Sequence, residues 1–237
     1  MTTGQINQLK DSILPGDFSL TRKSYYLKNL GIPGFWTHAC QNIGNPTDRN
    51  NFFSGDTDCV NWIISMGEKS GSLEKLLQKV FHYKYIEHTD NGLSRPIIES
   101  ISEGVIFSPF SKVASMDRLV ILRPQVTKLE IAKAIYHAFE MAGRPYDYNF
   151  DFSTETTIAC SELVYQIYRD SRLFAINHLF GNPFTTPNEI AMHYDEKFNT
   201  NKLRLEMILL FDGDNVYDSK SIKGQKIFRQ SWKRSFW

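Results

Sequence analysis

The chain has 237 residues, 41% hydrophobic and 14% aromatic, with a formal net charge of +1. That is enough apolar material for one buried core, and it excludes a disordered chain. The near-neutral charge gives no reason to expect nucleic acid as a partner, and no apolar run reaches the roughly 18 residues of a membrane span.

Cys40, Cys59 and Cys160 are the only cysteines and cannot all pair, so at least one thiol is free. The opening "MTTGQINQLKDSILPGDF" lacks the basic and apolar regions of a secretion signal. The localisation stays open between the cytoplasm and, for a processed chain, the cell envelope.

In chain order, "ILPGDFSLTR" joins a Pro-Gly turn to alternating Phe18 and Leu20 and predicts a first strand. A second strand is expected over 35–43, where a period of two puts Trp36, His38 and Cys40 on one face. Residues 45–57 read as a polar loop. "CVNWIISMGEKSGSLEKLLQKVFHY" carries helical spacing with a break near Gly71, predicting two short helices.

Strands resume in "RPIIES" and "GVIFSPF", and the β-branched "RLVILRP" reads as a central strand. "TKLEIAKAIYHAFEMAG" has a Thr127 cap, an apolar stripe through Ile131, Ala134, Ile135, Ala138 and Met141, and a terminal Gly143. A helix beginning near Cys160 follows, then a loop-rich stretch, a short helix at "TPNEIAMHYD" and a late strand at "LRLEMILLFDG". "DGDNVYD" lacks the spaced acids of a calcium loop and reads as a hairpin. Strands at both ends with helices gathered between them give an α+β class.

Residues 219–237 interleave Lys220, Lys223, Lys226, Arg229, Lys233 and Arg234 with Phe228, Trp232, Phe236 and Trp237. Two readings compete: contact with an anionic surface such as a membrane or cell-wall polymer, or a C-terminal strand and frayed tail with solvated lysines.

In "TIACSELVYQIYRD", Cys160 shares a helical stripe with Leu163, Val164 and Ile167, which suits a buried, inert thiol. The preceding "STETT" is rich in capping residues and places the same cysteine in the first helical turn. There, unpaired N–H groups and the helix dipole favour a thiolate and can hold an oxyanion. A reacting thiolate needs a base. Of six histidines, His82, His88, His137, His178 and His193 read as surface residues, whereas His38 lies mid-strand and needs a partner if buried. Glu99, an acid inside an apolar strand, could orient His38, with Glu162 and Asp147 as competitors.

In order along the chain, "ILPGDFSL", "GFWTHACQNIG", "IIESISEGV", "GRPYDYNFDF", "CSELVYQIY" and "TPNEIA" resemble the circularly permuted, YiiX-like branch of the NlpC-type cell-wall peptidases. The resemblance implies a permuted papain-like fold, with an antiparallel sheet or open barrel packed against the helix carrying the nucleophile. One hydrolase domain is expected over 1–237, with an insertion at about 45–95 and a basic aromatic extension at about 219–237 that the family pattern does not supply. The resemblance further implies Cys160 as nucleophile, His38 as base, Glu99 as third polar residue and Tyr146 as a contributor to the oxyanion site, with neither cofactor nor metal.

The implied activity is cleavage of an amide in a peptide or peptidoglycan fragment through an acyl-thioester. Three features depart from the ordinary branch: Ser161-Glu162 in place of Ser-Gly, the span from Gly44 to Pro96, and the C-terminal segment. Lipid acyl transfer of the lecithin-retinol-acyltransferase type and a noncatalytic binding module are the alternatives. A metal site from His38, Cys40 and Cys59 lacks the spacing of a tetrahedral set.

Overall fold

The computed structural model describes residues 3–23, 34–89, 94–148, 156–171, 173–174, 177–179, 182–184 and 186–234. Helix α1 (Thr3–Ser12), to which the sequence reading assigns nothing, precedes β1 (Phe18–Arg22) and β2 (His38–Asn42). Four helices follow: α2 (Pro46–Phe53), α3 (Thr57–Ser65), α4 (Leu73–Val80) and α5 (His82–Thr89). The middle of the chain is β3 (Ile97–Ile101), β4 (Gly104–Ser108), α6 (Phe110–Ala114), β5 (Arg118–Pro124) and α7 (Lys128–Met141). Then come α8 (Cys160–Ile167), β6 (Asn177–Leu179), β7 (Asn182–Phe184), α9 (Pro187–Lys197), β8 (Leu205–Asp212), β9 (Asn215–Asp218) and α10 (Ile222–Ser231).

Among the described residues the main sheet has seven strands in the order β4-β3-β2-β1-β5-β8-β9, every pairing antiparallel. This is an α+β fold consistent with a permuted papain-like arrangement. One face of the sheet, with Phe18, Leu20, Ala39, Ile98, Val120 and Leu122, shares a core with α7 and α8. The other, with Cys40, Ile97, Leu119, Ile121 and Phe211, is covered by Leu9 of α1 and by Phe110 and Val113 of α6.

Three expectations are corrected. The polar loop at 45–57 contains α2, because Asn45 accepts the Asp48 N–H at 2.9 Å while the Asp48 carboxylate accepts the Asn45 N–H at 3.0 Å. This reciprocal cap, followed by Pro46, is a helix-start signature that a polar composition conceals.

The strand expected from 35 starts at His38. Asn188 Oδ1 takes the N–H groups of Phe35 and Trp36 at 3.0 and 3.3 Å, so a side chain replaces a neighbouring strand there. Trp36 therefore leaves the His38–Cys40 alternation. It packs against Phe228 at 6.0 Å between ring centroids and donates from Nε1 to Ser231 Oγ at 2.7 Å.

The third correction is at the C-terminus, where the strand reading gives way to α10. Ser221 caps the Gly224 N–H, and Phe228 is buried while Lys220, Lys223, Lys226 and Lys233 face solvent. Phe236 and Trp237 lie outside the described residues.

Helices α2 to α5 are tied to the sheet by a buried charge network. Arg49, fully buried, donates from Nε and Nη2 to the Glu74 carboxylate at 2.5 and 2.7 Å, and from Nη1 to the Gly44 carbonyl at 2.7 Å. Nη1 also meets His88 Nε2 at 3.0 Å, and His88 Nδ1 donates to the Arg95 carbonyl at 2.8 Å. His88 is thus wholly buried rather than on the surface. Burial, and then the Arg49 charge, push its pKa down to about 3 and keep the ring neutral.

The network joins the end of β2 to the segment leading into β3, where the Ile43 N–H also donates to the Pro96 carbonyl at 2.8 Å. Removing one partner of a buried pair leaves an uncompensated charge, a loss of about 3–5 kcal/mol. Glu74→Leu is therefore expected to lower the urea-unfolding free energy by that amount. An unfolding curve superimposing on that of the parent protein would show that the network does not bear on stability.

Candidate active site

The register of β2 on β3 brings the first two groups of the site together. Cys40 pairs with Glu99, Gln41 with Ile98 and Asn42 with Ile97, and the pairing ends there. Side chains two residues apart on a strand share a face, so His38 is the diagonal neighbour of Glu99. His38 Nε2 lies 2.9 Å from Glu99 Oε2. The other carboxylate oxygen is 2.7 Å from Lys112 Nζ of α6, and Ser108 adds to the groups that favour the ionised carboxylate.

Because β3 parts from β2 beyond Glu99, the start of α8 reaches the strand at its beginning. The Cys160 sulfur lies against His38 and the backbone N–H groups of Ala39 and Ser161, each of which favours its charged form. With His38 Nε2 engaged by Glu99, Nδ1 is the ring nitrogen left for the sulfur. The segment before α8 is fixed by the Ser100 hydroxyl of β3, which donates to the Ile158 carbonyl at 2.5 Å. A parallel bridge between Tyr146 and Ile158 carries Tyr146 to the same place, where the Cys160 charge acts on its hydroxyl.

The helix is capped differently from the sequence expectation. Ser153, Thr154 and Glu155 lie outside the described residues, and the N-cap is Ala159. Glu162, fully buried, reaches back so that its carboxyl oxygen accepts the Ala159 N–H at 3.0 Å. That gives Glu162 a role at the helix end. Cys160 is the first helical residue, so its own N–H has no carbonyl four residues earlier to bond.

Burial opposes charge on all three central groups, and the contacts overcome it. For Cys160, burial pushes the thiol up, but the hydrogen bond and charge of His38 and the two backbone N–H groups bring it below its ordinary value. Burial would lower His38, yet its bonds to Cys160 and Glu99 and their charges raise it to about 10. Burial would raise Glu99, and His38, Lys112 and Ser108 hold it down to about 2. The resting pair is thus thiolate and imidazolium. Burial, then the charge of Cys160, push the Tyr146 phenol well up, which keeps it a hydrogen-bond donor.

Of the other candidates, Asp147 is buried beside the Tyr146–Ile158 bridge, with its N–H on the Ile158 carbonyl at 3.3 Å. His137 joins Glu140, Asp170 and Arg169 at the surface of α7. Cys59 is a core residue of α3 whose N–H donates to Asp56, and among the described residues no group of three His, Cys, Asp or Glu is arranged to hold a metal ion. Lys112, Ser108 and Ser100 escaped the sequence reading, for a lysine in "SPFSKVAS" has the composition of a solvated turn.

Residues 15–180 match the family described as permuted papain-like amidase enzymes, YaeF/YiiX. A solved structure described as the metalloprotein yiiX from Escherichia coli O157:H7 is similar over 87% of this chain and 96% of that one, at 15% identity and a TM-score of 0.43. Among curated proteins, none matches.

The charges set a pH window. The thiolate of Cys160 is present above its lowered pKa, and the imidazolium of His38 is lost only as pH rises through about 10. Alkylation by iodoacetamide at Cys160 is therefore expected to persist below the ordinary thiol range. Cys40 should stay unreactive there, its thiol raised by burial and the Glu99 charge, as should Cys59, raised by burial and Asp56 to about 12. Peptide mass spectrometry across pH checks this, and His38→Ala should move the Cys160 profile to higher pH. Equal rates at Cys160 in folded and denatured protein at neutral pH would contradict an activated thiolate.

Proposed function

Because the chain belongs to the permuted papain-like amidase family, and so is a cysteine amidase, we propose that Cys160 is its nucleophile, with His38 as base, Glu99 as orienter and Tyr146 as oxyanion donor. The observation that carries this reading is the single imidazole of His38, set between the sulfur that heads α8, whose charge acts on it, and a buried carboxylate 2.9 Å from its Nε2.

Such an array performs acyl transfer in two stages. The Cys160 thiolate attacks the amide carbonyl, and the Cys160 N–H and the Tyr146 hydroxyl stabilise the oxygen as it gains charge. The C–N bond breaks as the His38 imidazolium gives its proton to the departing amine, leaving a thioester on Cys160. Neutral His38 then takes a proton from water, the resulting hydroxide attacks the thioester, and the carboxylic acid leaves as the thiolate and imidazolium are restored. Glu99 keeps Nε2 engaged, so that Nδ1 faces the sulfur throughout.

The substrate we assign is a peptidoglycan-type peptide, on the similarity of "GRPY" and "CSELVYQIY" to motifs of cell-wall peptidases. Incubating the parent protein and Cys160→Ala with muropeptides and, separately, with phospholipids tests it by mass spectrometry of products. Release of a peptide by the parent alone is expected. Turnover of lipid in place of peptide would overturn the substrate class, and equal products from both proteins would overturn the nucleophile. Tyr146→Phe is expected to lower kcat about a hundredfold, the scale of one oxyanion donor, and an unchanged kcat would remove Tyr146 from the mechanism.

A further inference from the structure

Glu99 is a carboxylate with only 4% of its surface exposed, and His38 accounts for one of its two oxygens. The other is held by Lys112 Nζ at 2.7 Å. Lys112 stands on α6, a five-residue helix whose Phe110, Val113 and Ala114 are buried against the sheet. The helix closes on the lysine itself: the Ser115 hydroxyl donates to the Lys112 carbonyl at 2.7 Å. The backbone that presents this ammonium to Glu99 is therefore fixed, although 37% of its side chain is exposed.

We propose that Lys112 is a positioning residue of the amidase site, holding the second oxygen of Glu99 so that the first stays on His38 Nε2 and balancing the carboxylate's charge. The inference rests on the assignment of Cys160, His38 and Glu99 above and adds a fourth member on a different element.

The charge count makes the argument. Thiolate, imidazolium, carboxylate and ammonium alternate from Cys160 through His38 and Glu99 to Lys112 and sum to zero. Without the lysine, a buried cluster with one net negative charge remains, and opposite charges at such spacing interact far more strongly there than in water. The other titratable groups facing the cluster are Cys40, directly across from Glu99 on β2, and Tyr146 beside Cys160. Both are kept neutral by burial, so neither replaces the lost cation. Lys112 keeps 37% of its side chain in water while Glu99 is buried, so its effect is read on the protonation of the buried groups it faces.

Deprotonation of every group in the array is harder once a nearby positive charge is removed. In Lys112→Met, both limbs of the pH profile for Cys160 alkylation are therefore expected to move to higher pH by about one unit, a tenfold loss of thiolate at fixed pH on the acid limb. Lys112→Arg, which keeps the charge, should restore the parent profile. A lysine that served only packing would reduce stability without moving the profile.

A Lys112→Met profile superimposed on the parent's overturns the proposal, as does an arginine variant displaced as far as the methionine one. If the methionine variant does not fold, Lys112→Gln carries the same comparison. Should the parent protein itself show no enhanced reactivity at Cys160, the assignment of the nucleophile fails, and this inference with it. An enhanced parent with an unmoved variant removes Lys112 alone.

Discussion

β2 and β3 remain paired only from Asn42–Ile97 to Cys40–Glu99, and the site depends on that early parting. Had the ladder continued, Ala39 would lie alongside another strand, and its N–H could not serve the Cys160 sulfur as it does. Ending the pairing there lets the start of α8 take the vacated edge, and Ser100 holds the incoming backbone by its Ile158 carbonyl. At the other end of the same two strands, Arg49 gathers Gly44, Glu74 and His88, and His88 in turn holds Arg95. A one-residue slip would reverse the faces of every side chain on β3, sending Glu99 away from His38. The buried network in α2 to α5 therefore supports, at a distance, the register that the chemistry uses.

The groups of the site illustrate why burial by itself does not decide ionisation. Cys40 and Cys160 are both buried free thiols, yet their pKa values move in opposite directions. Burial raises both; at Cys40 the negative Glu99 across the ladder adds to that rise, whereas at Cys160 the facing His38 and two N–H groups outweigh it. The outcome follows the sign of the nearest fixed charge. Sulfur placed two strand residues away from the base is inert, and sulfur placed against it is a nucleophile's resting state.

Much of this was readable in the sequence, and the misses share a cause. Alternating Phe18 and Leu20 located β1 and a period-3.6 stripe located α7, while apolar and β-branched runs located β3 and β5, whose residues are buried on both faces of the sheet. The signals that failed were those in which a polar residue satisfies backbone: the Asn45 cap that makes α2, and the Asn188 side chain that delays β2. Lys112 and His88 failed for the complementary reason. His88 reads as a surface histidine and Lys112 carries no sequence signal at all, and only tertiary structure supplies Arg49 to the one and Glu99 to the other. The pairing of His38 with Glu99 was legible only as a possibility, since strand order and register are not encoded locally. The family resemblance narrowed the choice among Glu99, Glu162 and Asp147.

Glu162 alters the account of how the thiolate is stabilised. The first turn of a helix favours an anion because its N–H groups lack partners, and the sequence suggested that hydroxyl caps would leave that potential to the cysteine. Instead a carboxyl group three positions from the N-cap takes the Ala159 N–H. Part of the helix terminus is thus already satisfied by an acidic side chain, in a position that leaves less of its field for the sulfur. What remains to Cys160 is the Ser161 N–H, the Ala39 N–H from β2, and His38. The imidazolium is the full charge among them, so the helix start serves chiefly to aim the sulfur and to leave the Cys160 N–H open to a reacting oxygen. On this arrangement the strand carries the electrostatics and the helix carries the geometry, which is why the parting of β2 from β3 governs both.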